Sequence, residues 1–352
     1  MSPNKNMIAK IPRLLRFFLD PRKDIEVFGM FGPGNLGDEA MMVAASEVLG
    51  KARTLPYGLS GNRFLAPLAR RRTHRNLLVS GGTLIHGGQP GWLEYVEHRA
   101  AQGVRISVFG TGMAFTPEQI RERSEHFRRW SRVLKDAAHV QLRGPRSVGI
   151  AAEMGVRAEI FGDFAFMLYD PLLPLADHGI RRDTIGFNFG QCLGDQQAFE
   201  DSAAALVRHY HCRHRLVFHA VIASDIPVIR RIAAAAGLSP AQTEIRSHFY
   251  DPIAFMHDVH CYRAFFGLKL HAAALAMMAG VPTLMVAYLP KAHDLIEGLG
   301  GGQHLVLDLP LETEVAIARM NEILANPDDA VLTDLIAPLA SEQKKRLQAA
   351  FA

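Results

Sequence analysis

The chain has 352 residues, of which 49% are hydrophobic and 21% charged, the proportions of a globular protein long enough for two domains. Its formal net charge of +4 is too small to indicate nucleic-acid binding, but it suits an enzyme that handles anionic substrates. The three cysteines, Cys192, Cys212 and Cys261, cannot all pair and match no metal-binding spacing. We therefore expect reduced thiols, no resident metal and a cytoplasmic protein.

Residues 1–20 mix basic and apolar side chains, but proline and arginine interrupt the apolar stretch and no small-residue cleavage site follows. This pattern does not predict a signal peptide, and it fits an amphipathic helix on a surface. Arginines are dense at 70–72 and again between Arg121 and Arg132, which is typical of a solvated surface. Docking to lipid headgroups, and thus peripheral association with the inner face of the membrane, is the alternative. The longest apolar run, near 272–281, is too short to span a bilayer.

Short apolar runs alternate with helical patterns along the first half of the chain. Strands are expected at 25–30, 76–79, 104–109, 139–142 and 157–161, and helices at 38–49, 92–101 and 117–136. Alternation of this kind predicts a mostly parallel sheet with helices on both faces.

A proline-containing segment, 171–183, interrupts the alternation and is predicted to be a linker. The pattern then resumes, with strands expected at 184–189, 215–222, 261–266, 283–287 and 304–307, helices at 196–210, 226–236 and 271–279, and a mainly helical tail from 312. We predict an α/β protein of two Rossmann-like, doubly wound domains, 1–170 and 184–352, facing a cleft. Ligands should bind at the carboxyl ends of the strands.

A G-x-G-x-x-G motif follows the first predicted strand, at Gly32, Gly34 and Gly37. This is the dinucleotide fingerprint, but residues 53–57 lack the carboxylate that would hold the ribose of NAD, so we do not expect NAD to bind. The motif still lets the backbone approach a ligand and offers helix N–H groups to an anion. Asn35 and Asp38 lie at the start of that helix, where capping is their ordinary role.

Two further glycine clusters follow the next predicted strands, at Gly81 and Gly82 and at Gly110 and Gly112. Tight strand-to-helix turns would account for them. The alternative is that the backbone here comes close to an acceptor substrate or a phosphate.

Basic residues follow several predicted strands. Lys269 ends a strand and His271 lies in the first turn of the next helix, so an ammonium, the helix dipole and free N–H groups would converge on one anion. Lys291 follows the next strand and could reach the same place. In the first domain, Arg143 follows one strand and Asp163 another, where the carboxylate could orient a cation or a hydroxyl.

Taken in order, these pieces resemble the polysaccharide pyruvyltransferase family. The matching blocks are residues 34–39 (GNLGDE), 81–82, 110–112, 143–147, 162–163, 269–271 with the alanine-rich stretch to 282, and the pair Tyr288 and Lys291. The similarity extends from about residue 25 to residue 300.

The resemblance implies a GT-B-like transferase that takes pyruvate from phosphoenolpyruvate, as a substrate without any cofactor, to a sugar diol as a ketal. The acceptor would be a polysaccharide precursor, usually lipid-linked and cytoplasmic, in exopolysaccharide biosynthesis. At the matched positions Arg143, Lys269 and His271 would contact the donor, with Lys291 as a companion, and the glycine loops would lie on the acceptor side. His271 is the candidate general acid, and Asp38 or Asp163 the candidate base.

Two departures from the family pattern bear on the donor. The family usually has Arg at the position of Lys269, and Lys lacks the bidentate fork that suits phosphate or carboxylate. It usually has Asp at the position of Gly144. The alternative interpretation is therefore a GT-B-like glycosyltransferase that uses a nucleotide sugar, and a third is a non-catalytic protein that binds anions or sugars.

Overall fold

A computed structural model describes residues 25–50, 52–54, 75–88, 90–173 and 182–352. The expected N-terminal surface helix, the arginines at 70–72 and most of the predicted linker lie outside these residues. The chain forms two compact units. The first comprises the described residues up to Pro33 with Met41–Met167 and Glu342–Ala352, and the second comprises Gly34–Ala40 with Leu168–Ser341.

The first unit contains a six-stranded sheet in the order β2-β1-β3-β5-β7-β8, in which every neighbouring pair is parallel. Its strands are β1 (Ile25–Phe28), β2 (Ala52–Thr54), β3 (Asn76–Val79), β5 (Arg105–Phe109), β7 (His139–Leu142) and β8 (Glu159–Ile160), and a separate pair comprises β4 (Ile85–His86) and β6 (Met113–Ala114). All four residues of β1 are buried, as expected of a strand in a sheet covered on both faces.

The helices that accompany this sheet are α1 (Leu36–Leu49), α2 (Pro90–Ala101), α3 (Pro117–Arg121), α4 (Glu125–Lys135) and α5 (Pro145–Glu153). The prediction of one helix over 117–136 was wrong, because two helices occupy that segment. Arg123 adopts a positive φ of 47°, which ends the first helix. The Ser124 hydroxyl then accepts a hydrogen bond from the Phe127 amide and caps the second.

The second unit contains another six-stranded parallel sheet, in the order β11-β10-β9-β12-β13-β14. Its strands are β9 (Arg182–Asn188), β10 (Arg215–Ala220), β11 (Ile245–Ser247), β12 (Tyr262–Gly267), β13 (Thr283–Ala287) and β14 (Val306–Asp308). Its helices are α6 (Gln196–Tyr210), α7 (Asp225–Ala235), α8 (Pro252–Val259), α9 (Leu270–Met278), α10 (Lys291–Leu299), α11 (Thr313–Ala325) and α12 (Thr333–Ala350).

The predicted α/β class with two parallel sheets is confirmed. The predicted domain bounds, 1–170 and 184–352, assign two segments to the wrong unit, however. The end of α12 belongs to the first unit, because the Gln343 amide donates to the carbonyls of Phe161 and Asp163, and Phe351 packs near Phe109. Residues 34–40 group with the second unit, where the Leu36 amide donates to the Val221 carbonyl at 3.0 Å.

Within the described part of the chain, no helix combines the length and the apolar character needed to cross a membrane.

Candidate functional site

The second sheet has a topological switch point between β9 and β12, because β10 extends the sheet on one side of β9 and β12 on the other. Ligands of doubly wound proteins bind outside the carboxyl ends of strands at such a point. Asn188, the last residue of β9, fixes this edge. Its backbone carbonyl accepts from the Leu268 amide at 3.0 Å, and its side-chain oxygen accepts from the Lys269 amide at 2.8 Å.

Two ammonium groups approach one aromatic ring at this edge. The Nζ atoms of Lys269 and Lys291 each lie 5.0 Å from the centroid of the Tyr288 ring, within the range of cation–π attraction. Lys269 also donates from Nζ to the Gln191 carbonyl at 2.9 Å. Burial raises the pKa of the Tyr288 phenol, and the nearby Lys269 charge opposes that rise. The phenol therefore stays neutral near pH 7, and the two cations leave the site with a net positive charge suited to an anion.

Helix α9 begins at this site. Lys269 occupies its N-cap position with extended backbone angles, and no side chain caps the helix. The sequence-based placement of Lys269 at a strand end and of His271 in the first turn of a helix agrees with these bounds. Since the helix N-terminus carries partial positive charge, it adds to the field of the two lysines.

Gly37, the last glycine of the G-x-G-x-x-G motif, contacts His271 within the second unit. A Cβ at Gly37 would lie 1.9 Å from Nδ1 of His271, so the ring rests directly on the glycine. The Gly37 amide donates to the side-chain oxygen of Asn35 at 3.3 Å, which is the capping role expected of Asn35. Asp38, in the first turn of α1, is almost fully buried, with 4% of its surface exposed.

Gly34 accommodates a second aromatic residue. Its φ is +80°, and a Cβ there would lie 2.7 Å from the phenolic oxygen of Tyr250. Tyr250 follows β11 and is 53% exposed. The role of Tyr250 is not evident from the sequence, because a single aromatic residue before a helix has no distinctive pattern.

Asp225 is a further residue of this edge that the sequence did not reveal. It is fully buried at the start of α7, and Oδ2 accepts from the amides of Val221 and Ile222 at 3.1 and 3.3 Å. A Cβ at Gly190 would lie 2.3 Å from Asp225 Oδ1 and 2.6 Å from Lys269 Cε, so both side chains crowd this glycine. The sequence signal that could have identified Asp225 is a carboxylate after a predicted strand. It was missed because the next helix was predicted to begin at residue 226, one residue after Asp225.

The first unit contains the other predicted donor residue, Arg143. It is buried and forms an ion pair with Asp163, with 3.8 Å between Nη1 and Oδ2. Nη2 donates to the Thr83 hydroxyl at 3.1 Å. A Cβ at Gly112 would lie 1.9 Å from Nη2, so Gly112 leaves the space that the guanidinium occupies.

The remaining glycines of the first unit hold its strand ends together. The carbonyl of Gly82 accepts from the Gly112 amide at 2.9 Å and from the Thr111 hydroxyl at 3.0 Å. Gly81 and Gly110 have φ of +148° and +66°, and a Cβ at Gly110 would lie 2.8 Å from the Cβ of Phe164. Tight turns account for these positions, and their predicted contact with an acceptor stays a prediction.

The predicted site residues thus fall into two sets. Gly34, Asn35, Gly37, Asp38, Lys269, His271 and Lys291 lie in the second unit, and Gly81, Gly82, Gly110, Gly112, Arg143 and Asp163 lie in the first. The first set joins motifs more than 230 residues apart in the sequence, since Gly37 contacts His271.

Among the described residues, potential metal ligands cluster at His219, His248 and Asp258, whose ligand atoms all lie within 4.8 Å of one another. Both oxygens of Asp258 already have partners, since one binds Arg246 and the other lies 2.9 Å from His248 Nε2. The His219 Nε2 lies 3.2 Å from the Tyr262 hydroxyl. An ion network that includes an arginine explains this cluster without a cation.

Comparison with known proteins supports the family resemblance. The family model described as polysaccharide pyruvyl transferase matches residues 35–290. No curated protein sequence matches the chain.

Several solved structures share the fold. One is MnaA of S. aureus with UDP, which is 10% identical over 92% of this chain and 94% of that chain, with a TM-score of 0.58. Another is the UDP-GlcNAc 2-epimerase of Neisseria meningitidis bound to UDP-GlcNAc, which is 12% identical over 93% of this chain and 98% of that chain, with a TM-score of 0.57. HepE of Anabaena in complex with UDP is 10% identical over 93% of this chain and 99% of that chain, with a TM-score of 0.57. At these identities the likeness establishes the fold alone, and the predicted GT-B-like fold is confirmed.

Proposed function

The chain belongs to the polysaccharide pyruvyl transferase family and is a transferase, and on that premise we propose that it moves pyruvate from phosphoenolpyruvate to two hydroxyls of a sugar. The product is a pyruvate ketal on a polysaccharide precursor. The observation that carries the proposal is the pair of ammonium groups on the Tyr288 ring, beside the uncapped start of α9. Phosphoenolpyruvate carries a phosphate and a carboxylate, and such a doubly anionic ligand matches two cations and a helix N-terminus.

The reaction balances with one proton donor. His271 protonates the methylene carbon of phosphoenolpyruvate, and the adjacent carbon gains cationic character. One acceptor hydroxyl bonds to that carbon, the bond to the phosphate oxygen breaks, and the second hydroxyl closes the ketal. One hydroxyl proton returns to His271 and the other leaves with inorganic phosphate. Asp38, in the same unit as His271, is the proposed base or acceptor anchor. The roles predicted for Asp163 and Arg143 stay predictions.

The same site suggests a rival donor. The UDP and UDP-GlcNAc complexes of the similar structures make a nucleotide sugar the natural alternative, with the lysines holding a diphosphate. Phosphoenolpyruvate is preferred because the family model matches residues 35–290, a range that includes Gly37, Lys269, His271 and Tyr288.

Donor binding to charge variants tests the proposal. We expect Lys269→Met and Lys291→Met each to weaken phosphoenolpyruvate binding by about tenfold or more, the loss of one charge-assisted hydrogen bond. Calorimetry gives the dissociation constants, and the exposed Lys345→Met is the matched control that should leave them unchanged. Binding of UDP-GlcNAc with no binding of phosphoenolpyruvate would overturn the donor assignment in favour of glycosyl transfer.

Measurements of turnover test whether His271 is the proton donor. They also distinguish an enzyme from a protein that only binds the anion. Phosphate release from phosphoenolpyruvate with a panel of sugar diols should fall by about 10²-fold or more in His271→Ala. A loss below about tenfold would assign the proton to another group. Tight binding with no release for any acceptor would point to a non-catalytic protein.

The acceptor is proposed to be lipid-linked, which places the enzyme at the inner face of the membrane. The basic N-terminal sequence supports this proposal. Co-sedimentation of the full chain with vesicles containing anionic lipid, and its absence with neutral vesicles or in high salt, is the expected result. Equal recovery in all supernatants would argue for a free sugar acceptor.

A further inference from the structure

A carboxyl group that the proposed reaction does not use lies at the lysine-bearing edge of the second sheet. Asp225 is fully buried, and its two oxygens face different partners. Oδ2 accepts from the amides of Val221 and Ile222, and Oδ1 lies against Gly190, which the Lys269 side chain also contacts.

The turn that Asp225 holds also supports the glycine motif. The carbonyl of Val221 accepts from the Leu36 amide at 3.0 Å, one residue before the glycine on which His271 rests. Asp225 therefore connects the Lys269 side of the site with the His271 side through one turn of backbone.

The charge of Asp225 is poorly stabilised where it lies. Burial raises its pKa to about 6, although the Lys269 ammonium and the amides of Val221 and Ile222 act in the opposite direction. The Tyr288 phenol is the other titratable group that faces it, and the Asp225 charge adds to the burial that raises the phenol's pKa. An ordinary aspartate titrates near 3.9, so this carboxyl exchanges its proton much closer to neutrality.

We propose that Asp225 is a positioning residue that takes up a proton when a multiply charged anion binds at Lys269 and Lys291. A bound anion adds negative charge beside a carboxylate that is already buried, and this favours the protonated form further. Proton uptake removes the charge of Asp225, which no longer competes with the ligand for the Lys269 ammonium. A protonated carboxyl still accepts at Oδ2 from Val221 and Ile222, so the turn is retained.

The sign of the resulting pH dependence is fixed by linkage. Because binding takes up a proton, affinity for the anion is highest below the free-state pKa and falls as pH rises through it. The fall can reach about tenfold per pH unit until the pKa of the bound state is passed. The inference rests on the proposed anion site at Lys269 but does not require that the anion be phosphoenolpyruvate.

Calorimetry with the full-length chain tests the coupling. Phosphoenolpyruvate and, separately, UDP are titrated at pH 6.5 and pH 8 in pairs of buffers that differ in ionisation enthalpy. The wild type should take up more protons than Asp225→Asn, by up to about one per anion bound. Asp225→Asn should bind the anion about tenfold more tightly than the wild type at pH 8, a gain that removal of a merely structural residue would not produce.

Asp258→Asn is the matched control. Asp258 is a half-buried carboxylate of the same unit. Burial acts to raise its pKa, but the hydrogen bond to His248 and the nearby positive charges together lower it. It should show wild-type proton uptake. Where Asp225→Asn does not fold, carbon NMR of the Asp225 carboxyl in the wild type, with and without anion, replaces it. The apparent pKa should then rise on anion addition.

The outcomes separate this inference from the proposed function. Equal proton uptake in the wild type and Asp225→Asn, or an unmoved carboxyl pKa, overturns the inference while pyruvyl transfer stands. Coupling seen with UDP but no binding of phosphoenolpyruvate supports the inference and overturns the donor. If neither anion binds, both fail.

Discussion

The imidazole of His271 lies on the α-carbon of Gly37, at a distance that leaves no room for a methyl group, since a Cβ at Gly37 would be 1.9 Å from Nδ1. Gly37 is not in the left-handed region of φ, so space and not backbone conformation requires glycine here. Two motifs that lie more than 230 residues apart in the chain are thereby parts of a single site.

Gly37→Ala should displace the imidazole and lower turnover by roughly tenfold to a hundredfold, because small misplacements of a catalytic group carry costs of that size. Phosphate release under saturating donor measures it. Gly149→Ala is the control, since a Cβ at Gly149 meets nothing within 4 Å, and it should retain full turnover. Unchanged turnover in Gly37→Ala would show that His271 tolerates movement and is not the proton donor.

Gly190→Ala should act mainly on the donor. The added methyl would lie 2.6 Å from Lys269 Cε and 2.3 Å from Asp225 Oδ1, so the lysine must move. We expect KM for phosphoenolpyruvate to rise by about tenfold, the cost of one lost charge-assisted contact, with a smaller change in kcat. Initial rates across donor concentrations give both constants. A fall in kcat at constant KM would contradict the placement of Lys269 at the donor.

The stability of the second unit should decrease in acid because of His219. Burial lowers the pKa of this histidine to about 3, whereas an unfolded histidine titrates near 6.5. Unfolding therefore takes up a proton below pH 6.5, and the free energy of unfolding should drop by about 2 kcal/mol between pH 7.5 and pH 5.0 from this residue alone.

Urea denaturation at the two pH values measures that drop. His219→Phe, which fits beside Phe255 and Phe265, should reduce it by the same amount, and the exposed His304→Gln should not. If the free energy of unfolding falls equally with pH in the wild type and in His219→Phe, the loss of stability in acid comes from other groups.

A buried ion pair in the first unit predicts a large effect on stability. Arg99 and Glu26 are almost fully buried, 3.1 Å apart, and Tyr95 donates its hydroxyl proton to the same carboxylate. Burial raises the pKa of Glu26 despite the arginine. Arg99→Met leaves that carboxylate without its cation and should cost about 3 to 5 kcal/mol of unfolding free energy.

The double variant Glu26→Gln with Arg99→Met should recover a large part of that loss, because no buried charge remains. The exposed pair Arg319 and Glu322 is the control, and Arg319→Met should cost less than about 1 kcal/mol. Chemical denaturation gives all three values. A loss in Arg99→Met no larger than in Arg319→Met would mean that Glu26 becomes protonated at little cost.

Much of the fold was predictable from periodicity. Strands 76–79, 139–142 and 283–287 and helix 196–210 have the predicted bounds, because each is a regular run between clear breaks. The division at 122–124 was missed, because a helical pattern continues across it while the positive φ of Arg123 is a property of the folded turn.

The candidate site was predictable only where it follows strands with distinctive residues. Lys269 and His271 are such residues, and their places at the strand end and helix start agree with the prediction. Asp225 and Gly190 were not found, since their importance comes from a contact between the loop after β9 and the first residue of α7, more than 30 residues apart. Tertiary contacts of that kind leave no pattern in a single sequence.

The end of α12 has a consequence for the order in which the chain folds. Gln343 satisfies two carbonyls of the first unit and Arg346 a third, so residues beyond 341 complete that unit. A fragment ending at Met167 lacks them, and during synthesis they emerge after the second unit. We therefore expect the first unit to reach its final state after the second has been translated, contrary to the usual order in which N-terminal domains fold first.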